Sequence, residues 1–290
     1  MKTSIKLALI YFAMQIFAML TVLPFAALYT FFVEDSLDEA RLSEISMTPM
    51  LLVGIIYMLI YLWKKNYLAD DGCLYHPTTP ALLGGSLLGG LAMIFLVSCL
   101  MTQLSFLPDV SKQAFDTIQS GWLGILSIAV FGPVLEELLF RGAITKVLLR
   151  KYRPGVAVLF SGLIFGIIHF NPVQVVGASI IGFLLAWVYY RTRSLWPCIL
   201  IHVLNNSLST FLTLRYPDVE ELPELMSTTA AVICAIVSVV VLLLYLKQLG
   251  DYRSGYVEPM PQAVYATDAK EATAAPETTP QTETSNTPKL

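Results

Sequence analysis

Eight long apolar stretches, separated by short polar connections, constrain this chain more than any other feature of its sequence. A helix needs about 20 apolar residues to cross a bilayer. Charged residues make up only 13% of the chain, against roughly 25% in soluble domains. The sequence therefore predicts an all-α polytopic membrane protein with about eight transmembrane helices. Their expected ranges are 7–33, 49–63, 81–102, 121–150, 155–170, 173–190, 195–214 and 228–246.

Local signals refine these ranges. The second and fifth stretches are short for a full crossing. Asn171–Pro172 is expected to break the chain after the fifth, because proline lacks an N–H and restricts the residue before it. The first stretch is too long for the core of a cleaved signal peptide, so we interpret it as a membrane helix. The third stretch carries small residues of the kind that let membrane helices approach closely, namely Gly84, Gly85, Gly89 and Gly90.

The basic residues predict the orientation of these helices. Of the 18 lysines and arginines, only Arg41, Lys112 and Arg215 fall on the outer side when both termini are placed in the cytoplasm. Such a bias follows the positive-inside rule. We therefore expect both termini to be cytoplasmic and the protein to lie in the cytoplasmic (inner) membrane. The net charge is -3, and the sequence has no basic stripe; the lack of such a stripe argues against nucleic acid as a partner.

The chain is expected to divide into four segments. These are N-terminal membrane helices over 1–117, a core over 118–212, a C-terminal membrane helix over 213–250, and a tail over 251–290. The tail is rich in Thr, Pro, Ala and Glu. Such a composition buries too little apolar area to offset its ordering entropy, so we expect the tail to be disordered.

Ionisable residues inside apolar stretches are the first indication of function, because an unpaired charge in hydrocarbon costs about 2.5–3.5 kcal/mol. Glu136, Glu137 and Arg141 lie in the fourth stretch. Glu137 and Arg141 are four residues apart and can form an ion pair on one helix face. Glu136 points about 100° away from Glu137 and can face another helix. We therefore expect Glu136 to be the carboxylate that is available for acid–base chemistry.

Two of the three histidines also lie in apolar stretches. His169 follows Phe165 by four residues in the fifth stretch. His202 and Asn206 have the same spacing in the seventh, so their side chains share a helix face. Counting residues from the turn near Arg153 places Glu136 and His169 at similar depth. We expect these polar side chains to meet in a cavity in the cytoplasmic half of the membrane.

The three motifs together resemble those of a known family. Glu136-Glu137-x-x-x-Arg141, Phe165-x-x-x-His169 and His202-x-x-x-Asn206 occur in the order found in the CPBP (Abi) family of CAAX proteases and bacteriocin-processing proteins. The resemblance covers about 118–212. It implies an intramembrane endopeptidase that acts on a membrane-associated peptide or protein.

The resemblance also implies roles for the residues. Glu136 would activate water, His169 would help to hold it, and His202 and Asn206 would stabilise the oxyanion. Glu137, Arg141 and Phe165 would support the site. A metal-free mechanism is preferred; the alternative is a divalent metal such as zinc, held by Glu136, His169 and His202.

Two other functions remain open at this stage. A non-catalytic bacteriocin-immunity or binding protein could use the same fold. A proton-coupled transporter could use buried Glu and His as relay residues, although the sequence has no evident internal repeat.

Overall fold

The computed structural model describes residues 1–33, 38–69 and 74–252, and these residues form nine helices joined by turns. Seven of the helices are long and apolar enough to cross a membrane, and α6 is a shorter apolar helix. The prediction of an all-α polytopic membrane protein is confirmed. The helices are α1 (Lys2–Val33), α2 (Glu39–Lys64), α3 (Pro80–Met101), α4 (Lys112–Gln119), α5 (Trp122–Leu149), α6 (Pro154–Ile167), α7 (Pro172–Thr192), α8 (Trp196–Arg215) and α9 (Thr228–Asp251).

The helices differ most from the expected ranges in two places. α2 begins at Glu39, ten residues earlier than expected, so the prediction of a short second crossing is wrong. The Asp38 side chain caps it by accepting a hydrogen bond from the Ala40 N–H at 3.2 Å, and Pro49 lies inside the helix without ending it. α4 lies in a connection for which no helix was expected. The expected tail falls outside the described residues from position 253 onward.

The break at Asn171–Pro172 is present as predicted. α6 ends at Ile167, and Phe170 has a φ of 51°, in the left-handed region. Pro172 then occupies the first turn of α7, where the missing N–H costs no helical hydrogen bond. The chain thus reverses directly after His169.

One end of the helical bundle gathers both ends of the described chain, and we call it the basic end. The Met1 amino group donates to Tyr152 Oη at 3.3 Å. Tyr252 Oη donates to the Pro77 carbonyl at 3.4 Å. The Arg191 guanidinium donates to carbonyls at the end of α9. These contacts place the connections 74–79 and 150–153 at the same end of the bundle.

The opposite end, which we call the acidic end, is formed by the connections 102–121 and 216–227. The Lys112 ammonium lies 3.6 Å from a Glu220 carboxylate oxygen and joins the two connections. The Val110 N–H donates to Asn171 Oδ1 at 3.1 Å, so the turn after α6 also lies here. Each membrane-crossing helix therefore runs between a basic end and an acidic end.

Glycines on α3 permit the close packing of α8 and α9. A Cβ atom at Gly85 would overlap Gln248, and one at Gly89 would overlap the Tyr245 ring. At Gly90 it would lie 3.0 Å from Ile201 on α8. Gly84, in contrast, faces open space. Three of the four glycines expected on a packing face are thus used in this way.

Gly89→Ala is expected to destabilise the protein by about 1–3 kcal/mol, because the added methyl group overpacks the α3–α9 contact. Gly84→Ala is the matched control, since it adds the same methyl group on the same helix in open space. It should be neutral or slightly stabilising. Thermal unfolding of the detergent-solubilised variants measures both. Equal melting temperatures for the two variants would contradict the packing described here.

Candidate active site

The two adjacent glutamates lie on an irregular part of α5. The α-helical segment Gly132–Leu139 carries Glu136 and Glu137, and it is flanked by π-helical segments at Ser127–Phe131 and Phe140–Thr145. Single π-helical turns are rare and occur frequently at functional sites. Each one rotates the residues that follow relative to a regular helix. The direction in which the glutamates point is therefore set by the segment Ser127–Phe131, which precedes them.

Pro133 accounts for the first of these irregularities. The Gly132 N–H reaches back five residues to the Ser127 carbonyl, and Pro133 has no N–H to offer to the next carbonyl, that of Ile128. Asn206 of α8 supplies the missing donor, because its Nδ2 lies 3.1 Å from the Ile128 carbonyl oxygen. The proline thus creates a docking point at which α8 attaches to α5.

Glu137 forms hydrogen bonds with one residue of its own helix, α5, and with one residue of α8. One of its carboxylate oxygens accepts from Arg141 Nη1 at 2.7 Å and from His202 Nδ1 at 2.7 Å. The ion pair with Arg141 is as predicted. The bond to His202 was not predicted, and it makes Glu137 the residue that orients this imidazole. The side chains of Glu137 and Arg141 are both fully buried.

Arg141 also contacts α7 and the Phe165 ring. Its Nη2 donates to the Gly182 carbonyl of α7 at 3.1 Å, and its guanidinium carbon lies 4.6 Å from the centroid of the Phe165 ring. Phe165 also packs edge-on against His169 and His202, with ring centroids 5.1 and 5.5 Å apart. Phe165 therefore fixes the spacing between the two histidines.

Glu136 faces away from this buried pair, as expected. Its Oε2 lies 3.7 Å from Nε2 of His202, the ring nitrogen opposite the one that is bonded to Glu137. The Glu136 side chain is 19% exposed, whereas Glu137 is fully buried. The two adjacent carboxylates thus bracket one imidazole, and only Glu136 reaches open space.

The hydrogen bonds of His169 determine which of its nitrogens is available. Nδ1 lies 2.8 Å from the Phe165 carbonyl oxygen. A carbonyl can only accept, so Nδ1 carries the proton and donates. In the neutral ring, Nε2 then remains as an acceptor that can hold a water molecule or a substrate N–H.

Asn206 is also oriented by its neighbours. Its Oδ1 accepts from Asn205 Nδ2 at 3.1 Å, while its own Nδ2 donates to the Ile128 carbonyl. An amide nitrogen has two hydrogens. One N–H of Asn206 therefore remains for a ligand.

A cavity of about 680 Å³ brings the predicted site residues together. Glu136, His169, His202 and Asn206 all line it, and so does Phe165. Glu137 and Arg141 lie behind this wall, fully buried.

The direction in which the cavity extends differs from the expectation. Its remaining lining comes from α3, α4, α7, further residues of α5 and α8, one residue of α2, and the connections of the acidic end, including Asp109, Lys112 and Glu221. None of the described residues of the basic-end connections lines it. The prediction of a cavity in the half of the bundle beside the basic loops is therefore wrong. Residue counts along single helices give depths but carry no information about the acidic-end connections, whose residues line the cavity.

The donor set does not match an open three-ligand metal site. In the described ranges 1–33, 38–69 and 74–252, no group of three or more His, Cys, Asp or Glu side chains is arranged to hold a metal ion. A catalytic zinc site uses three protein ligands. Among the candidate ligands, Nε2 of His202 lies 3.7 Å from a Glu136 carboxylate oxygen.

At the acidic end, Glu221 fastens the connection 216–227 to α3. Ser98 Oγ donates to the Glu221 carboxylate and accepts from the Leu222 N–H at 2.8 Å. Burial raises the pKa of Glu221 from 4.5 to about 7; the hydrogen bond from Ser98 opposes this shift, and the nearby Glu224 and Glu220 add to it.

Replacement of the two adjacent glutamates should change stability to very different extents. Glu137→Gln leaves the Arg141 guanidinium buried without a counter-charge, which costs about 3–5 kcal/mol. Glu136→Gln, which leaves the buried ion pair of Glu137 and Arg141 intact, should change stability by less than about 1 kcal/mol. Chemical denaturation of the two purified variants tests this difference. A Glu137→Gln protein as stable as Glu136→Gln would show that the buried pair is not a structural constraint.

The raised pKa of Glu221 predicts a pH-dependent stability. Between pH 4.5 and about 7 the folded protein holds this proton more tightly than the unfolded chain, so the contribution is complete below pH 4.5 and is lost as the pH rises through 7. Glu221→Gln should flatten this decline in melting temperature. Glu39→Gln, an exposed carboxylate of α2, should keep the wild-type slope. Identical slopes in all three proteins would contradict the assignment.

Comparisons with known proteins agree with the motifs. Residues 118–208 match the family model described as type II CAAX prenyl endopeptidase Rce1-like. The chain is also 34% identical over 105 residues to a Bacillus subtilis (strain 168) protein named "Putative membrane peptidase YdiL". That match covers 36% of this chain and 43% of the relative, so the chain spans less than half of the relative's length. No solved structure gives a significant match. The segment 118–208, which contains Glu136, His169, His202 and Asn206, is therefore similar to CAAX-protease-like proteins of the CPBP family.

Proposed function

We propose that this multi-pass membrane protein is an intramembrane endopeptidase that hydrolyses a peptide bond of a membrane-associated peptide or protein. The observation that carries the proposal is the convergence of Glu136, His169, His202 and Asn206 on one cavity inside the bundle. The family of the segment 118–208 and the name of the Bacillus subtilis relative support a peptidase. The substrate is expected to reach the cavity from the bilayer or its surface, with no nucleic acid involved.

Glu136 is the proposed general base. Its carboxylate borders the cavity and takes a proton from a water molecule, whose oxygen forms a bond to the peptide carbonyl carbon. His169 Nε2 accepts the second O–H of that water and holds it in place. The carbonyl π bond opens to an oxyanion. When the oxyanion collapses, the C–N bond breaks, and the proton on Glu136 passes to the leaving amine.

Asn206 and His202 are the proposed donors to the oxyanion. One N–H of the Asn206 amide donates to the Ile128 carbonyl, and this hydrogen bond fixes the direction of the other N–H. His202 already donates Nδ1–H to Glu137, so Nε2 donates only when the ring is doubly protonated. The adjacent Glu137 carboxylate compensates the charge of that form. Oxyanion donors of this kind contribute about 10²–10³-fold to the rate each.

The mechanism requires no metal. Water activation here uses a carboxylate and an imidazole, and the described donor set offers Glu136 and His202 as one close pair rather than a three-ligand site. We propose the cytoplasmic (inner) membrane as the location of the protein, in agreement with the charge bias of its loops.

Glu136→Gln should lower the rate of peptide cleavage by about 10²–10⁴-fold while the protein remains folded, because the amide cannot act as a general base. Cleavage is measured by mass spectrometry on a peptide library incubated with purified protein. Glu39→Gln, which leaves the cavity unchanged, is the control and should cleave at the wild-type rate. Wild-type cleavage by folded Glu136→Gln protein would refute the mechanism.

A further inference from the structure

The entrance of the cavity carries an excess of negative charge. Among the described residues that line it, the acidic end contributes five carboxylates and one lysine. Lys112 pairs with Glu220 at 3.6 Å, and both side chains are more than half exposed, so this contact is weak. The acidic side chains are Asp109, Asp116, Glu220, Glu221 and Glu224; Glu221, whose pKa is raised to about 7 by burial, is partly protonated at neutral pH.

Gln119, at the end of α4, is an independent sign of a ligand. It lines the same cavity and is only 8% exposed. Its Oε1 is buried with no hydrogen-bond partner among the described residues. A buried acceptor that is left unsatisfied costs about 1–3 kcal/mol. A ligand with an N–H group would satisfy this oxygen.

These groups and the proposed catalytic carboxylate line one continuous cavity. Gln119 and Asp116 are on α4, Glu221 lies on the connection 216–227, and Glu136 lies on α5. A volume of about 680 Å³ falls within the roughly 300–1,000 Å³ of sites for small ligands. It can hold a few residues of an extended peptide, but no folded domain.

We propose that the cavity binds a peptide segment with a positively charged side chain, which enters from the acidic end of the bundle. The lysine or arginine of this segment lies among the entrance carboxylates, and a backbone N–H donates to Gln119 Oε1. The inference rests on the proposed peptidase function for what happens next, because the peptide bond is then presented to Glu136. In the orientation that the basic loops predict, the acidic end is the outer face, so the substrate arrives from outside the cytoplasm.

Binding is tested with three fluorescent peptides that are identical except for one position, which is lysine, norleucine or glutamate. Fluorescence anisotropy with detergent-solubilised Glu136→Gln protein measures affinity without cleavage. We expect the lysine peptide to bind at least about fivefold more tightly than the glutamate peptide. This preference should weaken as salt screens the entrance. Equal affinities, or a preference for glutamate, would overturn the proposal.

Variants assign the preference to the entrance. Asp116→Asn combined with Glu224→Gln should remove most of the difference between the lysine and glutamate peptides. Glu39→Gln removes one carboxylate at the same end but outside the cavity lining, and it should keep the difference. Gln119→Leu should weaken all three peptides by a similar factor. Unchanged binding in the double variant and in Gln119→Leu would place the ligand elsewhere.

The side of entry is tested in sealed vesicles with a membrane-impermeant lysine peptide. Access of an antibody to a C-terminal tag identifies which face is outward. Binding or cleavage is expected only in vesicles in which the antibody cannot reach the tag, because the acidic end then faces outward. If the peptide binds only to vesicles whose tag the antibody reaches, the inference is overturned. The two proposals fail separately. If the protein binds the lysine peptide selectively but shows no cleavage that depends on Glu136, the proposed peptidase function is contradicted. If cleavage depends on Glu136 but binding shows no charge preference, the proposed role of the acidic entrance is contradicted.

Discussion

A buried ion pair shared by three helices is the constraint on which the site depends. Arg141 and Glu137 are fully buried, and Glu137 also accepts from His202, while Arg141 donates to the Gly182 carbonyl. Neither charge can be removed singly without leaving the other uncompensated in a low-dielectric interior. The arrangement therefore fixes α5, α7 and α8 relative to one another at the depth where the chemistry is proposed. It also explains why one of two adjacent glutamates is unavailable: Glu137 is committed to positioning, and Glu136 alone faces the cavity.

Backbone irregularity provides the second layer of positioning. Pro133 removes a donor within α5, and the exposed Ile128 carbonyl is bound by Asn206. In a regular helix this carbonyl would be satisfied within its own chain, and Asn206 would have no anchor. Phe165 has a corresponding role between the histidines, since its ring packs against both and its carbonyl fixes the tautomer of His169. The polar groups are thus held by backbone atoms and by an aromatic ring, neither of which titrates.

The sequence was sufficient for the features that depend on local spacing. The i,i+4 pair of Glu137 and Arg141, the break at Asn171–Pro172 and the apolar crossings follow from helix periodicity and from the chemistry of proline. Contacts between helices could not be obtained in this way. The bond from His202 to Glu137 depends on the register shift that the π-helical segments introduce, and a 100° step per residue does not include such a shift. Pro133, which lies within the fourth apolar stretch, was the sequence feature that could have indicated this register shift. The start of α2 was missed because its first turns are polar, although Asp38 is a typical N-cap residue.

Basic residues at one end of the bundle and acidic residues at the other end have different physical origins. The position of the basic loops therefore does not predict where the cavity opens. Basic residues in short loops determine how helices insert, and they carry no information about where a cavity opens. The carboxylates at the other end line the cavity itself, and burial raises the pKa of one of them, Glu221, to about 7. A negative entrance with little balancing positive charge is unfavourable for the empty protein, because like charges repel across a partly desolvated space. Insertion alone does not require these carboxylates, since acidic residues contribute little to topology. Their concentration around an opening that leads to Glu136 is explained more directly by the charge of what passes through it.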